Sequence, residues 1–468
     1  MKSILRFGVM LIALLLAACM SQTEYVRPIA VTPGAYKENK SWKPAEPKDA
    51  ESRAKWWTIF NDSLLNYLEE QVSVSNQNVA QAEARYRQAR ALVGAARAAK
   101  YPTVSGNAAA TRARSSSAAQ VTAREATDNY RASVDAAWEI DLWGRVRDSV
   151  RANLASAQAG TADIESMRLS QQAQLAQSYF QLRALDAQKL LFDETIAGYE
   201  KSLRLTQNQY ASGVVAKADV ILAQTTLRAA QAQVTDLGVQ RAQLEHALAV
   251  LIGMPASTFS LEPITLFMPP PEVPVGVPSQ LLERRPDIAA AERRVAAANA
   301  QIRVARSAYF PSLTVSASSG FQSTTLTDLL SLPNRFWSLG PALALSLFDG
   351  GTRRAQSDQA MAIYDGDVAA YRQTVLVGLQ EVEDQLSSLR ILAEEAKIQE
   401  DAAQLARQSV VLVTNQYRSG IVNYANVVAV QASALNNERN TVEILGRRLV
   451  ATVQLIKALG GGWGASAQ

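Results

Sequence analysis

The residues best placed for covalent chemistry lie at the start of the chain. Leu16-Ala17-Ala18-Cys19 closes an apolar run of ten residues, Phe7 to Leu16, with Lys2 and Arg6 ahead of it. The run is too short for a permanent membrane helix, and small residues before a cysteine make a compact peptidase substrate. The sequence predicts a lipoprotein signal peptide over 1–18, cleavage before Cys19, and a diacylglyceryl group on the Cys19 thiol, with acyl chains of the palmitate class. Cys19 is the only cysteine in 468 residues, so no disulfide within the chain and no other thiol or cysteine-metal chemistry is open to it. Met20 follows, not the aspartate that retains bacterial lipoproteins in the inner membrane, which directs the anchor to the outer membrane.

Other chemistry fares poorly. The single histidine, His246, rules out multi-histidine metal sites and leaves no usable catalytic triad. Gly350-Gly351 has neither GxxxxGK nor GxGxxG around it, so it is a turn and not a phosphate loop. In Arg284-Arg285-Pro286-Asp287 the proline suits the first helical position and the aspartate the positive end of the helix dipole, which makes a helix start of it. The reading is of a chain that is not an enzyme, with no cofactor and no metal. Lys2 and Arg6 are two of the 47 basic residues; the 45 that remain without them nearly balance the 43 acidic ones, so nothing asks for a nucleic-acid partner. No later stretch reaches the roughly 20 apolar residues of a membrane helix; any further spanning must be done by strands.

The elements are organised by an internal repeat. Asn208-Gln209-Tyr210-Ala211-Ser212-Gly213-Val214-Val215 matches Asn415-Gln416-Tyr417-Arg418-Ser419-Gly420-Ile421-Val422 at an offset of 207. The same offset pairs Arg241 with Arg448 and Gly253 with Gly460, and Ala95–Pro102 matches Val304–Pro311 at 209. An extended segment over 19–61 precedes repeat 1 at 62–253; a proline-rich linker at 254–278 leads to repeat 2 at 279–460, and 461–468 is a tail.

Each repeat reads as helix, strand pair, long helix, turn, returning helix. The strand pairs fall at about 103–112 with 129–142, and about 312–322 with 336–348, on period-two alternation. Val134, Ala136, Trp138, Ile140 and Leu142 oppose Asp135, Ala137, Glu139 and Asp141. In repeat 2, Leu313, Val315, Ala317 and Phe321 oppose Ser316 and Ser318, with Leu339, Leu343, Leu345 and Leu347 continuing the apolar face. Strands of about ten residues, apolar outside and polar inside, fit a wet barrel in lipid. From Arg145 to Ser212 and from Thr352 to Ser419 there is no proline, and Val375, Leu379, Val382, Leu386, Leu389, Ala393 and Ala396 step by four and three, a coiled-coil seam. Gly213 and Gly420 suit the left-handed residue that ends a helix. Gly213, Val214, Val215 and Gly420, Ile421, Val422 then form the two hairpin tips, near 213 and 420, where apolar side chains without a local core point to a docking surface.

Four strands do not close a water-filled barrel, and open strand edges do not face lipid. Two copies give eight strands, a barrel filled by its own side chains; a conduit favours three copies and twelve strands.

The chain resembles the TolC-like outer-membrane efflux proteins, lipoprotein branch (OprM and NodT type), over essentially its whole mature length. The residues that carry this are Arg53-Ala54-Lys55-Trp56-Trp57-Thr58-Ile59-Phe60-Asn61-Asp62, Trp138-Glu139-Ile140-Asp141-Leu142-Trp143-Gly144, and Leu281-Leu282-Glu283-Arg284-Arg285-Pro286-Asp287-Ile288 with Ala291-Glu292. The resemblance implies a mixed, mainly α fold: a trimeric twelve-stranded β-barrel continued by a long α-helical barrel, with an equatorial α/β layer that takes in the N-terminal segment. It implies a homotrimer, a periplasmic adaptor that meets the tips, an inner-membrane pump, and a passive duct for drugs or other small toxic molecules. An alternative is the exit duct of a type I protein or polymer secretion system; another is a soluble periplasmic coiled-coil scaffold. A gate of polar contacts at the tip is implied at Asp219, Tyr417 and Arg418. Ala425-Asn426-Val427-Val428-Ala429-Val430-Gln431-Ala432 has no acid, which departs from the acidic pore ring of relatives.

Overall fold

The computed structural model describes residues 25–29, 37–38, 55–114, 126–264, 269–271 and 285–461. The signal peptide, Cys19, most of the first hairpin loop, most of the proline-rich linker and the end of the tail lie outside the described residues. The chain divides into two compact units. The first spans 1–30, 85–161 and 290–372; the second spans 31–84, 162–289 and 373–468.

In chain order the elements are α1 (Ser63–Ser75), α2 (Gln77–Ala98), β1 (Thr103–Ala113), β2 (Thr127–Ile140), α3 (Arg145–Ala211), α4 (Lys217–Leu251), α5 (Pro286–Ser307), β3 (Ser312–Ser323), β4 (Arg335–Ala344), α6 (Thr352–Arg418) and α7 (Tyr424–Ala458). At 67 residues each, α3 and α6 are about 100 Å long.

In the first unit the strands form one antiparallel sheet in the order β1-β2-β3-β4. Register assigns the faces, because directly paired residues share one. Val134 pairs with Gly106 and Ser319, Ala136 with Val104 and Ala317, Trp138 with Val315, and Ile140 with Leu313; Leu339 and Leu343 pair with Ala317 and Leu313. That face is apolar. The other brings together Asn107, Ser133, Asp135, Glu139, Thr314, Ser316, Ser318 and Gln322. At Gly320 a side chain would meet the Ala132 carbonyl at 2.1 Å, so β2 and β3 close up there only around a glycine. Among the described residues the outer edges of β1 and β4 are unpaired.

Two strands end sooner than the sequence reading of 129–142 and 336–348. β2 stops at Ile140 because the Asp141 carboxylate caps α3, accepting from Val146 N at 3.1 Å and Arg147 N at 2.8 Å. Asp349 caps α6 in the same way, accepting from Gly351 N at 3.0 Å and Arg353 N at 3.2 Å. β4 stops at Ala344, so Leu345 and Leu347 are not strand residues. Its last pair is Ala344 with Ser312, and the residue before Ser312 is Pro311, which has no N–H to extend the ladder.

The second unit has its core where both repeats meet the N-terminal segment. Trp56, Trp57 and Phe60, with Leu65, Leu68 and Val72 of α1, pack on Leu175, Tyr179, Phe180 and Leu182 of α3, Leu248 of α4, and Leu449, Val453 and Ile456 of α7. Arg285 joins the start of α5 to two other helices: it donates to Asp287 at 2.7 Å, to Glu381 at 2.6 Å, and to the Ala458 carbonyl at 3.0 Å. A second clasp holds the start of the linker. Asp186 accepts from Arg183 at 2.9 Å and Arg241 at 2.7 Å, while Arg183 and Arg241 donate to the carbonyls of Glu262 and Leu261.

Glu69 on α1 is fully buried, and neither carboxylate oxygen has a hydrogen-bond partner. Burial pushes its pKa well above the usual carboxylate range. The folded chain therefore holds a proton there that the unfolded chain releases, so this group's effect on stability worsens as pH rises above the unfolded value. Glu69→Met should stabilise the protein by about 1–3 kcal/mol at pH 8, the usual cost of an unsatisfied buried group, and by less at pH 4. Thermal unfolding midpoints of the two proteins at both pH values check this; an equal shift at both removes the buried-carboxyl account.

Candidate gate and docking tips

The tips belong to the second unit. α3 and α6 end alike: Gly213 and Gly420 both have φ of +75°, and no neighbour lies within 4 Å of a Cβ built on either. Backbone conformation, not crowding, is therefore the reason for glycine. Val214 N donates to the Gln209 carbonyl at 2.8 Å, and Ile421 N to the Gln416 carbonyl at 2.9 Å, the same helix-closing pattern in both repeats. Each turn throws one apolar side chain outward. Val214 is 69% exposed and Ile421 72%, while Val215 and Val422 are half-buried.

Tyr417 is buried at the end of α6. Its hydroxyl donates to Gln209 Oε1 at 2.6 Å and lies 3.2 Å from Thr206 Oγ1, so repeat 2 is bonded to repeat 1 just above the tips. Its ring lies 5.5 Å from that of Tyr424, and Ala223 and Val427 complete a small apolar cluster. Burial pushes the Tyr424 phenol up to about 12, which keeps it neutral at physiological pH.

Among the described residues no hydrogen bond links Asp219 or Arg418 to the Tyr417 hydroxyl, whose partners are Thr206 and Gln209. Asp219 stands in the first turn of α4 and Arg418 in the last turn of α6, each where the helix dipole favours its charge. Among the described residues neither makes an ion pair within the chain. The first turn of α7 holds no acid; Asn423 caps it by accepting from Asn426 N. His246 is exposed on α4, and no group of acids and histidines suited to a metal occurs among the described residues.

Sequence reasoning missed Thr206 and Gln209 as partners of Tyr417, because polar residues along a helix carry no mark of what crosses them. It also missed a stripe on α6. Ile391, Ile398, Leu405 and Leu412 recur every seven residues and are all at least half exposed. That spacing was visible in the sequence.

The polar face of the sheet carries both signs of charge. Asp135 accepts from Asn107 Nδ2 at 2.7 Å and Ser133 Oγ at 2.8 Å, and Arg131 donates to Ser318 Oγ at 3.3 Å. The Arg131 guanidinium also lies 4.6 Å from the Phe336 ring centre. A surface so mixed and internally paired favours neither anions nor cations. Among the described residues no helix is long and apolar enough to cross a membrane.

Known proteins share this arrangement. Residues 68–254 and 277–461 match the outer membrane efflux protein family. The chain is 30% identical to the probable efflux pump outer membrane protein TtgC of Pseudomonas putida, over 99% of this chain and 96% of that one. It is 29% identical to the pyoverdine export outer membrane protein OpmQ of Pseudomonas aeruginosa, over 96% and 95%. The solved outer-membrane channel OprN superposes with a TM-score of 0.84 at 30% identity, covering 94% of this chain and 99% of OprN. With its paired repeats, four-stranded sheet and long helical hairpins, the chain belongs to the outer membrane efflux protein family.

Proposed function

We propose that three copies of the chain form a passive exit duct in the outer membrane, the last part of a tripartite efflux system for drugs or other small toxic molecules. The observation that carries this is the sheet: four strands with one apolar face, one polar face and two unpaired edges. In lipid those edges require partners, and twelve strands from three copies enclose a water-filled passage where eight do not. An inner-membrane pump supplies energy and chooses the cargo; a periplasmic adaptor docks on the tips at Gly213, Val214, Val215, Gly420, Ile421 and Val422. The mixed charge of the sheet's polar face suits a passage that leaves selection to the pump.

Cys19 adds a lipid anchor to the strands. Two or more acyl chains hold a membrane far more firmly than one. Mass spectrometry of the mature N-terminal peptide should find an acylated Cys19 as its first residue; a free thiol or another cleavage site removes the anchor from this reading.

The gate lies at the tips. Among the described residues Asp219 and Arg418 have no ionic partner, which leaves them to pair between copies and hold the closed state. Such a solvated pair is worth about 1 kcal/mol or less, yet three bias a gate whose states lie a few kcal/mol apart. The purified protein should form channels in planar bilayers, and Asp219→Ala with Arg418→Ser should raise single-channel conductance by populating the open tip, by up to about fivefold in population for each pair lost. Unchanged conductance in the variant sinks the latch; no channel from the unaltered protein sinks the duct.

A further inference from the structure

The two repeats end in equivalent tips, yet among the described residues the contact between them is made once. The offset of 207 carries Leu205 to Leu412, Thr206 to Val413, Gln209 to Gln416 and Tyr210 to Tyr417. Tyr417 of repeat 2 is 5% exposed and bonded to Thr206 and Gln209 of repeat 1. Tyr210, its counterpart, is 46% exposed, and among the described residues its hydroxyl makes no hydrogen bond. The accepting side shows the same imbalance. Thr206 is fully buried and Leu205 half-buried, whereas Leu412 is 64% exposed and Gln416 is exposed; Val413, the counterpart of Thr206, is half-buried against the Tyr417 and Tyr424 cluster of its own chain. One chain thus holds one satisfied copy of a contact, plus an exposed tyrosine at one end and the exposed Leu412 and Gln416 at the other. A head-to-tail contact of this kind repeats from copy to copy until the ring closes.

We propose that Tyr210 of one copy docks on the exposed Leu412 and Gln416 of the next, beside the half-buried Val413, repeating between copies the seam that Tyr417 makes with Thr206 and Gln209 inside one chain. This rests on the trimeric duct of the preceding section. The occupant is a second copy because the receiving face is the repeat-equivalent of one already occupied by the same kind of residue. The two seams differ in strength. Val413 stands where repeat 1 has Thr206, so the seam between copies keeps the Gln416 acceptor and lacks the hydroxyl. The ring of tips then alternates three stronger seams with three weaker ones, and the weaker ones part first when the tip widens. Leu412 ends the exposed stripe that starts at Ile391, so the same partner covers the face above the tip.

Disulfide trapping in the full-length protein in outer-membrane vesicles tests the contact. Tyr210→Cys with Gln416→Cys should give oxidation-dependent bands at two and three times the chain mass. Thr206→Cys with Tyr417→Cys should link within one chain and stay at the single-chain mass. Cys19 is the only native cysteine, and the single variants control for it. If native gels show a trimer and the internal pair links, but Tyr210→Cys with Gln416→Cys does not, the seam is wrong and the trimer stands. If no trimer forms, the duct and the seam both fall. A gentler variant reads the asymmetry. Val413→Thr restores the missing hydroxyl and should lower open probability in planar bilayers by about fivefold per seam, the factor that one ordinary hydrogen bond is worth. An unchanged or raised open probability overturns the proposal.

Discussion

Val214→Asp with Ile421→Asp should leave the assembled protein intact and abolish export. Both side chains stand outside any core of their own chain, so their loss removes no folded-state packing. Val214 is 69% exposed and Ile421 72%, and the backbone that holds them is fixed by Gly213 and Gly420 and not by the side chains. A carboxylate at either position is solvated in the free protein and costs nothing there. In a docked complex it must lose its water against an apolar partner surface, at about 1–3 kcal/mol or more for each group left without a hydrogen bond. Three copies present six such groups, and each 1.4 kcal/mol is about tenfold in affinity. Drug susceptibility of a deletion strain carrying the variant should match that of the empty deletion, with the trimer band and single-channel conductance unchanged. Val214→Ser with Ile421→Ser, which loses apolar area without adding charge, should fall between. Normal resistance in the aspartate variant removes the tips from docking.

Much of this molecule is legible in its sequence because two periodicities and one offset carry it. Alternation of two assigned Trp138 and Ile140 to one sheet face and Glu139 and Ser318 to the other, and the register agrees residue by residue. What alternation cannot mark is where a strand must stop. The limit is set by Pro311 for β4 and by the capping carboxylate of Asp141 for β2, both of which were read as belonging to other features. The offset of 207 located both tips. It could not say that Tyr417 is buried and Tyr210 exposed, since identical residues in equivalent positions differ only in what the fold brings against them. The Asp186 clasp is a third case. Arg183 with Asp186, and Arg241 with Glu245, read as ordinary helical charge pairs at spacings of three and four. Their burial depends on the linker crossing them. Glu69 is hidden for the same reason: a glutamate on a short helix reads as a solvated face until the core closes over it.

The sheet offers the most direct test of the membrane assignment, because neighbouring residues face opposite media. Ala317 lies halfway along β3 on the apolar face, paired with Ala136 and Leu339; Ser318 lies on the polar face, paired with Asp135 and Ser338. Backbone position and local strand propensity are nearly shared, so a substitution at each isolates the environment. Ala317→Arg places a guanidinium against hydrocarbon, at about 2–4 kcal/mol for a mid-bilayer site, and three copies bring about 6–12 kcal/mol to one trimer. Ser318→Arg puts the same group in water between the Asp135 carboxylate and the Arg131 guanidinium, where attraction and repulsion offset under solvent screening and the cost is small. Folding into phosphatidylcholine vesicles should therefore yield a heat-modifiable trimer band for Ser318→Arg at the level of the unaltered protein and almost none for Ala317→Arg. The contrast also fixes direction: if the polar face met lipid instead, the two yields would exchange. Equal yields would mean that neither face meets hydrocarbon, and the sheet would then be a half-buried element of a soluble protein.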